Sequence, residues 1–182
     1  MSVETLVLYC APALAGLKVS NLFSYSYQSI CDLLKAANEY NELLNKNGII
    51  LKILKAQKGL ALILVYRKSA LDKVLGICEI QEFLKTQGYE KFDADSCFQV
   101  LREHLLLGKF PHEIGVFLGY PLEDIRGFIE NKGQNSKYIG HWKVYGDVKK
   151  AKQNFNRFNH CIDRYYEQVV SGVGLTQLIV AG

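Results

Sequence analysis

The sequence predicts an α+β fold, and three observations carry that prediction. Two β-branched and leucine-rich runs, Ile49 to Lys55 and Leu60 to Tyr66, are separated by Ala56-Gln57-Lys58-Gly59, a connection of hairpin length. Four helical patterns separate this pair from the later strand signals, which argues against an alternating βαβ series. The chain has 182 residues, 49% hydrophobic and 22% charged, enough for one domain with a well-filled core. The expectation is therefore a single domain over 1–182. Its small, mostly antiparallel sheet comprises the hairpin 49–66, a short strand near 141–145 and a strand over 175–180, packed by about six helices.

In chain order, Val3 to Tyr9 is too short for periodicity to separate helix from strand. Pro12, suited to a first helical position, predicts a helical turn ending near Lys18. Asn21 to Tyr25 reads as extended. Ile30, Leu33, Leu34, Ala37, Leu43 and Leu44 predict a helix from about Tyr27 to Asn45, stopped by Asn47-Gly48. The run Leu60 to Tyr66 is apolar on both faces, as a central strand covered on both sides must be. Ser69 predicts a capped helix to about Thr86, with Leu71, Val74, Leu75 and Cys78 as its stripe. Asp93 or Asp95 predicts another to about Leu107, with Phe98, Leu101 and Leu105 inward.

The stretch Phe110 to Asn135 predicts a helix-turn-helix-like corner, two short helices joined at Gly119. Phe110-Pro111-x-Glu113 and Tyr120-Pro121-x-Glu123 repeat one pattern, with proline at a first helical position and an acidic residue beside the positive end of the peptide dipoles. His141 to Tyr145 follows as the short strand. Residues 147–170 then predict a basic amphipathic helix, its apolar positions spaced by three and four from Val148 to Val169.

Composition narrows the functional classes. No run approaches the ~20 apolar residues of a membrane span, and the N-terminus lacks a basic signal-peptide region. Cys10, Cys31, Cys78, Cys97 and Cys161 are odd in number and scattered, which suits reduced thiols. These features predict a cytoplasmic protein with no membrane association. Residues 131–182 carry 8 Lys+Arg against 3 Asp+Glu, whereas the preceding residues carry 14 against 15, so the positive excess lies in the last third.

Three stretches, Cys10 to Phe23, Phe110 to Asn135 and Gly140 to Tyr145, together resemble a bacterial family, found mainly in anaerobic Firmicutes and designated domain of unknown function 3793. The resemblance runs the length of the chain, through Cys161 and Gly174 to Val180. It implies a soluble, bacterial, single-domain protein and carries over no catalytic residue, cofactor or partner. Tyr9 stands where members of that family often have a histidine, which argues against a His-Cys pair at Cys10.

The residues offer several candidate sites. Cys10, placed before the helical turn that Pro12 opens, is a candidate reactive thiol, since a helix N-terminus stabilises thiolate. His104, His112, His141 and His160 are too far apart for a local metal set, and Cys-x-x-Cys is absent. Gly172-Val173-Gly174 is not a P-loop. Lys143, Lys149, Lys150, Lys152 and Arg157, interleaved with Tyr138, Trp142 and Tyr145, are nucleic-acid candidates, because cations hold backbone while rings stack bases. The same lysines also describe the solvated face of an amphipathic helix. For a small ligand, the candidate surface joins Cys10, His112, the Asn131–Asn135 loop, His141 and Trp142.

No catalytic constellation appears. The leading reading is a binding or regulatory module for a small molecule or protein partner, of unknown cofactor. A thiol-dependent enzyme or redox protein using Cys10 is second, and a nucleic-acid binder is third.

Overall fold

The β2–β3 hairpin is the centre of the molecule. The computed structural model describes residues 1–108 and 110–180. Strands β2 (Ile49–Gln57) and β3 (Leu60–Arg67) are joined by Lys58 and Gly59, both with positive φ, a tight two-residue turn whose twist matches the strands it joins. β1 (Ser20–Ser26) pairs antiparallel with the other edge of β3, giving the order β1-β3-β2 with Phe23 opposite Ile63. A register shift between Ile53 and Lys55 leaves Leu54 as the extra residue of a bulge.

The central strand is covered on both faces, as its unbroken apolar run requires. Ala61, Ile63 and Val65 enter a core with α1 (Val3–Leu14), α2 (Ile30–Leu44) and the later part of α8 (Val148–Val170). Leu64 and Tyr66, with Leu54, enter a second core with α3 (Lys68–Leu75), α4 (Cys78–Thr86), α5 (Ala94–Leu106), α6 (Ile114–Phe117) and α7 (Leu122–Glu130). A third, smaller cluster joins Val144, Ala151, Phe155 and Phe158. It supports the ribbon of β4 (Tyr138–Ile139) and β5 (Lys143–Val144), in which Tyr138 pairs with Val144.

The α+β expectation holds, with local corrections. Pro12 lies inside α1 near its C-terminal end and opens no helix of its own. α2 begins at Ile30 because Ser29 caps it, accepting a bond from the Asp32 N–H at 3.3 Å. The helix expected from Ser69 to Thr86 is two helices, since the backbone turns extended at Ile77 after Gly76, and Cys78 is exposed there. The strand expected over 175–180 is instead a single turn, α9 (Leu175–Leu178), opened by a bond from the Gly174 N–H to the Gln177 side chain. A short apolar run does not discriminate a strand from one helical turn. With this split and the one-turn α6 and α9, nine α-helical segments stand among the described residues, against about six expected.

Candidate functional site

The first wall of the site is the end of α1. Proline has no N–H and strains a helix interior, and here helix and chain direction change within a few residues of it. The Ala13 N–H donates to the Asn21 side chain at 3.1 Å, while the Leu17 and Lys18 N–H groups both return to the Pro12 carbonyl. Gly16 adopts φ +74°, the left-handed conformation that ends many helices. Buried Arg67 seals the end: its guanidinium donates at 2.6 Å to the carbonyls of Ala13, Leu14 and Val180. A tight, fully bonded loop therefore carries Lys18 off the helix and towards the corner.

The second wall is the corner itself. Ser20 Oγ donates to the Phe117 carbonyl at 2.7 Å and ties α6 to β1. At Gly119 a Cβ would lie 2.7 Å from Val19 Cγ2, and φ is +68°, so both space and backbone conformation demand glycine. Glu113 is buried at 4% exposure and accepts bonds from the Tyr89 hydroxyl at 3.3 Å and pairs with His104 Nδ1 at 2.6 Å. It therefore anchors the corner to α5 rather than serving as the exposed partner of a helix dipole. The bonded carboxylate beside it and burial together push the Tyr89 hydroxyl far above its ordinary pKa, burial being the larger cause.

Asp124, 3% exposed, organises the third wall. Its Oδ1 accepts from the Tyr145 N–H at 2.7 Å and the Gly146 N–H at 2.8 Å, and its Oδ2 accepts from Trp142 Nε1 at 2.7 Å. This carboxylate is engaged by protein donors on both oxygens. It holds the indole of Trp142 against Tyr120, with ring centroids 4.7 Å apart and planes 28° apart, and edge-on to Phe155 at 4.4 Å.

The three walls enclose a half-open cavity of about 620 Å³. Leu22, Ile114, Leu118, Ile125 and Phe128 give it apolar sides; Tyr9, Tyr120 and Trp142 supply flat aromatic surface; Asn21, His112, His141, Lys143 and the engaged carboxylate of Asp124 supply polar groups. Lys18 also lines it, with its Nζ 5.1 Å from the Tyr120 ring centre and 6.0 Å from that of Phe158. Among the described residues no carboxylate pairs with this ammonium. Burial lowers the Lys18 pKa from 10.5 to about 8, because the charged form is deprived of water. Burial likewise raises the Tyr120 hydroxyl to about 12. Lys143 Nζ is engaged differently, donating to the Gly133 carbonyl at 2.7 Å. A desolvated cation without a counter-ion, set among aromatic rings, suits an anionic or electron-rich ligand group.

Of the residues singled out from sequence, His112, His141, Trp142 and Lys143 line this one cavity. Asn131 and Asn135 do not: the Asn131 side chain donates to the Gly127 carbonyl at 2.8 Å and closes the end of α7, and Asn135 occupies a turn at φ +59°. Cys10 is fully buried inside α1, close to that helix's negative end, and burial drives its thiol pKa far up. The premise of a thiolate at a helix start fails because Pro12 opens no helix. Lys149, Lys150, Lys152 and Arg157 lie exposed along α8, with Lys152 Nζ 4.6 Å from the Tyr138 ring centre. Trp142 and Tyr145, the other rings of that patch, are tied down by Asp124 and by a bond from the Tyr145 hydroxyl to the Gln134 carbonyl at 2.9 Å. Among the described residues no three His, Cys, Asp or Glu side chains gather closely enough to hold a metal ion. Nor is any helix among them long and apolar enough to cross a membrane.

Lys18, Tyr120 and Asp124 are the site residues that sequence reasoning missed. Their one-dimensional signals are weak, since Lys18 stands alone in a short loop and Asp124 looks like any first-turn acid.

Fold and cavity together define the class: a mixed α+β domain on a three-stranded antiparallel sheet, with a lateral pocket walled by aromatic rings. The chain belongs to the family described as protein of unknown function (DUF3793), whose model matches residues 6–179. No curated protein and no solved structure is significantly similar to it.

Proposed function

We propose that the chain is a small-molecule binding module of the bacterial cytoplasm, and that its ligand has a flat apolar body and an anionic end. The observation that carries the reading is Lys18, a desolvated ammonium with no carboxylate partner among the described residues, facing a cavity of about 620 Å³. Cavities of this size with apolar walls and a few convergent polar groups are typical ligand sites. A half-buried cation without a partner lowers stability, and an anionic ligand offsets that cost. An anion that docks there supplies the missing charge, while Tyr120, Trp142 and Phe128 cover the flat body of the ligand.

Trp142 is the sole tryptophan of the chain and lines the cavity, so its emission reports directly on occupancy. Benzoate and naphthoate, titrated at pH 7, are expected to change that emission saturably. Their amides, which lack the charge, are expected to bind at least ~10-fold more weakly, since a charge-assisted contact is worth roughly 1.5–3 kcal/mol. Equal binding of acids and amides, or no saturable change with any of them, refutes the proposal.

A further inference from the structure

We infer that Lys18 Nζ is also a covalent anchor, and that the cavity accepts an aldehyde of flat apolar body which condenses with this amine to an imine. The inference rests on the binding reading above and goes one step further, from the charge of Lys18 to its nucleophilicity.

The geometry carries it. An amine attacks a carbonyl only when its lone pair is free, and Lys18 Nζ has neither a carboxylate nor a hydrogen-bond acceptor among the described residues to keep it protonated and tied. Its fellow lysine in the cavity, Lys143, is bonded to the Gly133 carbonyl. Lys18 faces open cavity, and a benzaldehyde-sized body is far smaller than the ~620 Å³ available. The lowered pKa of about 8 adds to this. At pH 7 it leaves ~10% of the amine neutral, against ~0.03% for an unperturbed lysine. Desolvated lysines in apolar pockets are suited to this chemistry for that reason.

The step balances without an oxidant or reductant. The neutral nitrogen attacks the carbonyl carbon, a C–N bond forms, and the C=O π pair moves to oxygen. The oxygen takes up a proton while the nitrogen releases one, giving a carbinolamine. A further proton on the hydroxyl lets it leave as water, and the nitrogen lone pair closes the C=N bond of a protonated imine. His112 and His141 line the same cavity and supply imidazole groups able to carry these protons.

The test treats the full chain with benzaldehyde and sodium cyanoborohydride at pH 7, followed by intact mass and peptide mapping. The expected result is a single reduced adduct per chain, mapped to Lys18. Its yield should exceed that at any other lysine at least ~10-fold, and excess benzoate should suppress it. Lys18→Arg, whose guanidinium forms no imine, should lose the adduct, whereas Lys150→Arg, exposed on α8 and outside the cavity, should keep it. Modification spread evenly over the lysines, or none at Lys18, while benzoate still binds the parent chain, overturns the inference and leaves the binding reading standing. If neither probe engages the cavity, both fall.

Discussion

Lys18→Met removes one charge and keeps a flexible, largely apolar side chain of comparable length. The fall in the Lys18 pKa from 10.5 to about 8, at ~1.4 kcal/mol per pH unit, makes holding the ammonium in the folded chain cost about 3 kcal/mol at pH 7. The face of Tyr120 offsets roughly 1 kcal/mol of that. The variant should therefore be more stable than the parent by about 2 kcal/mol, a rise of roughly 4–8 °C in Tm for a chain of this size. The effect depends on pH in a defined direction. Between about pH 8 and 10.5 the unfolded parent binds more protons at this lysine than the folded one, so this contribution to parental stability increases with pH. The gain from Lys18→Met is then largest below pH 8 and shrinks as the pH approaches 10.5. The buried tyrosines titrate in both proteins and cancel in the difference, and burial keeps the Cys10 thiol, which feels the Lys18 charge, protonated through this range. Thermal and urea unfolding of the two proteins at pH 7 and pH 10 measure it. A variant no more stable than the parent at pH 7, or a gain that does not shrink by pH 10, refutes the account of Lys18 as an unpaired, desolvated cation.

Three further outcomes follow from the geometry. Asp124→Ala leaves Trp142 Nε1 and the N–H groups of Tyr145 and Gly146 without their acceptor; urea unfolding should show a loss of about 3 kcal/mol, and Trp142 emission should shift to the red. Gly119→Ala meets both a left-handed backbone and the Val19 side chain, so it should cost roughly 2 kcal/mol by the same assay. Iodoacetamide should label exposed Cys31 and Cys78 in the folded chain, and Cys10, Cys97 and Cys161 only after denaturation, as mass mapping will read.

The sequence makes the sheet legible because hydrophobic period and turn residues agree there. The run from Leu60 to Tyr66 is apolar on both faces, and Lys58-Gly59 supplies the turn. α8 is legible for the same reason, one apolar face repeated over many turns. Pro12 misleads because its usual place is a first helical position. Its acceptance near the end of α1 depends on partners at Asn21 and Arg67, which only the fold brings there. His112, His141 and Trp142 were found because histidine and tryptophan carry chemistry wherever they stand. Lys18 and Asp124 were not, since their roles arise from burial and from partners roughly 20 to 140 residues away. The buried pair of His104 and Glu113 likewise joins two helices whose mutual packing no local pattern encodes.

The proposed binding role requires Lys18 to be a desolvated cation that gains its counter-charge from the ligand. The most direct measurement is a pH titration by NMR of the chain labelled with ¹³Cε-lysine, with and without benzoate, with the Lys18 signal assigned through Lys18→Arg. Lys18 should titrate near 8 in the free protein, apart from the other lysines, and benzoate should move it upward, because an anion that favours the ammonium must by linkage raise its pKa. A Lys18 signal that titrates with the other lysines near 10.5, or one that benzoate leaves in place, would contradict it.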